Sequence, residues 1–274
     1  MSNMRKTDKI DIPAGHRLTT RLWHWFNALC LLVMIMSGLT IFNAHPRLYW
    51  GEYGANDDYA WAAVGSSQTV GYVRFGNTKI DTTGYIGNWR DADGKIQTWA
   101  FPGWATIPSS YSLADGRRWH LFFAWIMSFG LAFFMARSLW NRHIQNDLHM
   151  ARGEWSPVKI WQDLKSHARL KMRRSDDVMS YNIIQKLSYI GVIFVLLPIM
   201  IMTGLAMSPA MDANWPILTD LFGGRQSARS VHFIGMALLI LFFLIHMVML
   251  LFSGPLKRTM SMITGGKSGV SVDE

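Results

Sequence analysis

The sequence predicts an all-α membrane protein: a bundle of four transmembrane helices with a long periplasmic loop between helices 1 and 2. Three observations carry that prediction. Half of the 274 residues are hydrophobic. Only 16% are charged, where a soluble domain carries about 25%. Four apolar runs reach the roughly 20 residues that a bilayer crossing needs.

The first run covers residues 22–42 and follows a polar, basic N-terminal segment. It is long enough to stay as an anchor, so no cleavable signal peptide is expected. The second covers 119–139 and the third 189–207. The third has Ser180 or Asn182 as candidate N-caps and Pro198 in its middle, which predicts a kink. The fourth covers 231–252. All 274 residues are expected to form one membrane domain, with residues 43–118 as a cap or docking loop. Lys and Arg number eighteen in the two termini and the 137–186 connection, against nine in the other two loops. That asymmetry places both termini in the cytoplasm and the 43–118 loop in the periplasm of a bacterial inner membrane.

Composition excludes several classes. The net charge is +9, but the basic residues flank apolar runs and build no recognition helix, so no nucleic-acid partner is expected. The single cysteine, Cys30, rules out an internal disulfide and any cysteine-held cluster. It reads as a packing residue. The 43–118 loop holds Tyr49-Trp-Gly-Glu-Tyr-Gly54, Gly84-Tyr-Ile-Gly-Asn-Trp89 and Trp99-Ala-Phe-Pro-Gly-Trp104, too aromatic for a disordered linker. With Asp91-Ala-Asp-Gly94 as a turn, it predicts a small folded cap with short strands. Such a cap is either a docking surface for a periplasmic partner or an aromatic lid on the membrane interface.

The chemistry lies in the histidines. Of nine, four fall inside or at the edge of spans: His24, His120, His232 and His246. Imidazole is costly in hydrocarbon, so each needs a partner. Fourteen residues make close to four helical turns, so His232 and His246 share a face about 21 Å apart along the axis. His24 stands at the inner side of the first span and His120 at the outer side of the second. Each leaflet therefore holds two histidines on different helices, His24 with His246 and His120 with His232. Facing imidazoles match the demand of a six-coordinate haem iron. The competing readings are polar contacts between helices and proton-relay groups in a haem-free transporter or anchor.

Gly38, fourteen residues from His24, leaves room on the same face for a porphyrin edge, or else marks a helix contact. Arg117, Arg118, Arg225 and Arg229 could pair with propionates of an outer haem, and Arg17 or Arg21 with those of an inner one. The alternative is headgroup anchoring. His143, His149 and His167 read as solvated loop residues, and His16 and His45 as interfacial.

The motifs Arg21-Leu-Trp-His-Trp25 and Arg117-Arg-Trp-His120, with the His232–His246 spacing, resemble bacterial di-haem cytochrome b subunits. These anchor nickel-iron hydrogenases, formate dehydrogenase and thiosulfate-reductase-type enzymes. The resemblance covers all four spans. It implies two haem b groups, the inner held by His24 and His246 and the outer by His120 and His232, with electrons exchanged with the quinone pool. A quinone pocket beside the inner haem is implied too, with Asn27 and His16 as candidates. His16-Arg-Leu-Thr-Thr-Arg-Leu-Trp-His24 and Phe42-Asn-Ala-His-Pro-Arg-Leu-Tyr-Trp-Gly51 are most similar to the thiosulfate-reductase branch, which implies a periplasmic molybdopterin oxidoreductase as partner. A self-sufficient quinone-linked enzyme, such as a superoxide oxidase, would keep the haems and need no partner.

Overall fold

In the computed structural model the described residues are 18–67, 69–140, 183–252 and 255–265, with Val158, Trp161 and Lys165. The first span is α1 (Leu18–Asn43), and the second is α2 (Leu113–Trp140). The third runs through α3 (Ile183–Ile190), a π-helical segment (Gly191–Leu196) and α4 (Leu197–Ala206). Two short helices, α5 (Pro209–Asn214) and α6 (Pro216–Leu221), connect it to the fourth span, α7 (Arg225–Phe252). A last helix, α8 (Pro255–Thr264), follows.

Four helices are thus long and apolar enough to cross a membrane. Between 11 and 28% of each apolar window is buried within the protein, so most of the greasy surface points outward. Lipid, not water, is the solvent that suits it. Leu29, Phe129, Phe133 and Leu244 are among these outward side chains.

Helices α2 and α7 each begin six residues before their apolar runs. Helix α2 does so because Ser112 caps it. The Ser112 hydroxyl accepts the Asp115 amide at 3.3 Å and donates to the Asp115 carboxylate at 2.7 Å. The irregularity expected around Pro198 takes the form of the π-helical segment just before it. Proline has no N–H to donate and its ring crowds the carbonyl four residues back, so a wide turn accommodates it. The candidate caps Ser180 and Asn182 lie outside the described residues.

Inside the bundle, Cys30, Met127, Leu131, Leu197 and Leu239 form one buried cluster drawn from all four spans. Cys30 is fully buried there, a packing residue as anticipated.

The first loop folds into a cap. Strands β1 (Arg47–Leu48), β2 (Ala62–Ser66), β3 (Gly71–Phe75) and β4 (Thr78–Asp81) form an antiparallel sheet in chain order. The β3–β4 hairpin pairs Phe75 with Thr78, leaving a two-residue Gly76-Asn77 turn with Gly76 at φ +55. Strands β5 (Trp89–Arg90) and β6 (Ile96–Gln97) form the second hairpin. Its turn is the predicted Asp91–Gly94 stretch, where Asp91 accepts the amides of Asp93 and Lys95 at 3.1 and 2.9 Å.

The cap is stitched to the outer ends of α1 and α7. Phe42, Leu48 and Ala62 are buried together, with Trp61, Phe101 and Phe233 packed against them. The Gly51 carbonyl accepts the first free amides of α7, from Gln226 and Ser227, both at 3.0 Å. Gly224 makes this approach possible. Its φ is +110, and a Cβ there would stand 2.6 Å from the Gly51 backbone.

Candidate redox site

Helices α1 and α2 carry one histidine each and α7 carries two, and the bundle brings the four together as two pairs. His24 on α1 faces His246 on α7, with ring centroids 6.4 Å apart. His120 on α2 faces His232 on α7, with centroids 6.2 Å apart. Metal–imidazole bonds of about 2 Å on either side of an iron, plus about 1.2 Å from each nitrogen to its ring centre, put two trans imidazoles roughly 6.4 Å apart. Both pairs sit at that spacing. Among the described residues no three of His, Cys, Asp and Glu gather into a metal-binding group. The donor sets are therefore pairs, which suits a metal whose remaining ligands come from a macrocycle.

The outer pair is held by its Nδ1 atoms. His120 Nδ1 lies 3.0 Å from the Met34 carbonyl and 3.2 Å from the Ser37 hydroxyl, both on α1. Ser37 donates its own proton to the Val33 carbonyl at 2.6 Å, so toward the histidine it accepts. His232 Nδ1 lies 2.9 Å from the Thr203 hydroxyl on α4, and the Met200 backbone is in contact with the same side chain. Thr203 donates to the Ile199 carbonyl at 2.7 Å. Acceptors on Nδ1 fix its proton there and leave Nε2 with a free lone pair, the form in which histidine binds a metal.

Glycines make that approach close. A Cβ on Gly38 would be 3.4 Å from His120 Cε1, and one on Gly204 would be 3.6 Å from His232 Cε1. The space that Gly38 opens is thus faced by the His120 imidazole itself. Ser37, Thr203 and Gly204 escaped the sequence reading, although a signal was present. Residues 34–39 read Met-Ile-Met-Ser-Gly-Leu and residues 200–205 read Met-Ile-Met-Thr-Gly-Leu.

At the inner level His246 stacks on Phe242, centroids 6.2 Å apart, and His24 lies edge-on to Trp25 at 5.3 Å. Asn27 donates to the Trp23 carbonyl of its own helix at 2.8 Å. Arg21 reaches past the pair to the end of α8, where Nε donates to the Met262 carbonyl at 3.1 Å and the Ile263 carbonyl accepts a second bond. Its guanidinium caps a helix C-terminus. Arg21, Leu22, Trp25, Met262 and Ile263 line a cavity of about 400 Å³ at this end. His16, Arg17, His143, His149 and His167 lie outside the described residues.

The outer arginines part company. Arg118 is exposed and paired with Asp115 at 3.1 Å. Arg117 and Arg225 are exposed as well. Arg229 is half-buried one turn before His232, over the Phe42 ring at 5.6 Å and bonded to the His45 carbonyl. Among the described residues no carboxylate pairs with it.

Apolar spanning helices that enclose facing histidine pairs describe a membrane cytochrome of the b type. Residues 15–266 match the prokaryotic cytochrome b561 family, and the chain belongs to it. It is also similar to YedZ1 of Azospira oryzae, a candidate subunit of a protein-methionine-sulfoxide reductase. The two are 25% identical over 242 residues, 87% of this chain and 91% of that protein. No solved structure gives a significant match. The protein is a multi-pass, haem-b membrane electron-transfer subunit.

Proposed function

We propose that the chain holds two b haems, the inner between His24 and His246 and the outer between His120 and His232. In this reading it passes electrons between the quinone pool and an oxidoreductase docked on the periplasmic cap. The observation that carries it is the pair of centroid spacings, 6.4 and 6.2 Å, each between histidines of different helices. Haem b supplies one-electron redox chemistry at iron. The chain's part is to orient the four imidazoles, keep water out and fix the distance between the sites.

Arg229 is the residue best suited to an outer propionate. A half-buried guanidinium without a carboxylate needs a negative partner, and this one stands a single turn from His232. Arg118, engaged with Asp115, is less suited, and Arg21 is already occupied by the carbonyls of α8. Both termini are placed in the cytoplasm of a bacterial inner membrane by the distribution of Lys and Arg. The quinone site belongs near the inner pair, with Asn27 and His16 as candidate contacts. An oxidoreductase partner is supported by the similarity to the Azospira protein, named as a reductase subunit, and its molybdopterin type by the resemblance to the thiosulfate-reductase branch. The aromatic cap offers such a partner a surface, which a self-sufficient quinone-linked oxidase would not need.

The test is an optical spectrum of the purified protein, oxidised and dithionite-reduced, with haem counted per chain. Two low-spin b haems are expected, reducible by added quinol. One haem per chain would leave one histidine pair without iron and overturn the two-haem reading.

A further inference from the structure

The hexapeptides 34–39 and 200–205 differ only in Ser37 against Thr203. They lie on different helices, α1 and α4, and each faces a histidine of the helix packed beside it. The contacts repeat position by position. The methionine that opens the first copy offers its carbonyl to His120 Nδ1, and the one that opens the second has its backbone in contact with His232. The hydroxyl in fourth place accepts from the same Nδ1. The glycine in fifth place lies against Cε1 of the same ring. Ser and Thr in a helix commonly bond back to the carbonyl four residues earlier, and both do so here. That bond occupies the hydroxyl proton and turns a lone pair to the histidine, so the donor–acceptor direction is the same at both sites.

We propose that Ser37 and Thr203 are a matched pair of positioning residues for His120 and His232. They fix both imidazoles with the proton on Nδ1 and thereby set the reduction potential of the outer haem, leaving that of the inner haem unchanged. The inference rests on the two-haem reading above. Its physical basis is that an acceptor on Nδ1–H makes the imidazole a stronger donor, which favours the oxidised iron. Removing the hydroxyl acceptor, with the backbone carbonyl left in place, weakens that effect and shifts the couple toward reduction.

The experiment compares wild type with Ser37→Ala, Thr203→Val and the double variant, and with the hydroxyl-keeping exchanges Ser37→Thr and Thr203→Ser. Haem per chain is counted first; fewer than two haems in wild type would mean that the two-haem reading itself has failed. The two potentials are then resolved by optical redox titration, with His232→Ala and His24→Ala marking which haem is which. In the double variant the outer haem is expected to move about tenfold toward the reduced form, 59 mV for a one-electron couple, while the inner one stays. Its low-spin ferric resonance spectrum changes as well, and the hydroxyl-keeping variants match wild type. Two unmoved potentials, or both moving together, would overturn the proposal. If the outer haem is lost from the double variant, retention in Ser37→Thr and Thr203→Ser supports the proposal, and loss there overturns it.

Discussion

The Trp61 indole, in the cap, donates at 3.0 Å to the hydroxyl of Ser230, two residues before His232 on the same helix. Ser230 is fully buried and passes its own proton to the Tyr49 carbonyl. The cap is therefore tied to the helix that carries a histidine of each pair. In Ser230→Ala the indole N–H and the Tyr49 carbonyl lose this partner, at a cost of about 1–3 kcal/mol. Faster amide exchange and proteolysis across residues 47–66 are expected. A cap protected as in wild type would mean that the apolar contacts alone hold it.

His232→Ala and His24→Ala should each halve the haem content, and they should do so in different halves of the reduced spectrum. The residual absorbance of one variant should match what the other has lost. A variant that loses both haems while remaining folded by circular dichroism would show that the two sites depend on each other.

Gly38 faces His120 at a distance that tolerates a methyl group but nothing larger. Gly38→Ala puts its Cβ in ordinary van der Waals contact with Cε1, at 3.4 Å, and should keep the outer haem. Gly38→Leu must displace the ring, with a cost of about 1–3 kcal/mol for overpacking and loss of the outer haem. The haem count separates the two outcomes.

Gly224→Ala combines a left-handed backbone with a backbone clash. A cost of about 1–3 kcal/mol follows from the φ alone, and the Gly51 carbonyl must also withdraw from the first amides of α7. Thermal unfolding monitored at the outer haem should show a lower Tm than unfolding of the rest would suggest.

Burial, then the charges of Arg229 and Arg47, hold the His45 imidazole below its usual pKa. The folded chain thus prefers the neutral ring, while the unfolded chain takes up the proton near pH 6.5. The stabilisation is present in full above that pH and declines as pH falls through it toward the folded value. Thermal stability should drop between about pH 7.5 and 5.5. His45→Gln, which keeps a donor for Tyr49, should flatten part of that slope.

The spans and the histidine pairs were legible because both signals are short-range. A run of apolar residues is read within itself, and fourteen residues return to one helix face whatever surrounds them. The cap's second hairpin was legible for the same reason, since Asp91 caps its own turn. What escaped depends on which helices become neighbours. Nothing local to Arg21 says that it will reach carbonyls 241 and 242 residues away, and nothing local to Gly38 says that the His120 imidazole will face it. Arg118 illustrates the opposite case: Asp115 lies one turn back on the same helix, a pairing that spacing alone could have supplied. Ser37 and Thr203 are instructive too, because each looks ordinary until the two hexapeptides are set side by side.

The layer of Cys30, Met127, Leu131, Leu197 and Leu239 lies between the two levels of histidines. None of these five side chains is a carboxylate, imidazole or amine on which a proton could pause. In the two-haem reading proposed above, an electron that passes between the two levels crosses this layer without a proton carrier among its residues. Every transfer between the two levels is then a movement of charge through the membrane field, worth about 2.3 kcal/mol per 100 mV for a full crossing. The resting voltage of the cell thus becomes a brake or a drive on the protein's turnover, according to the direction in which the electron travels.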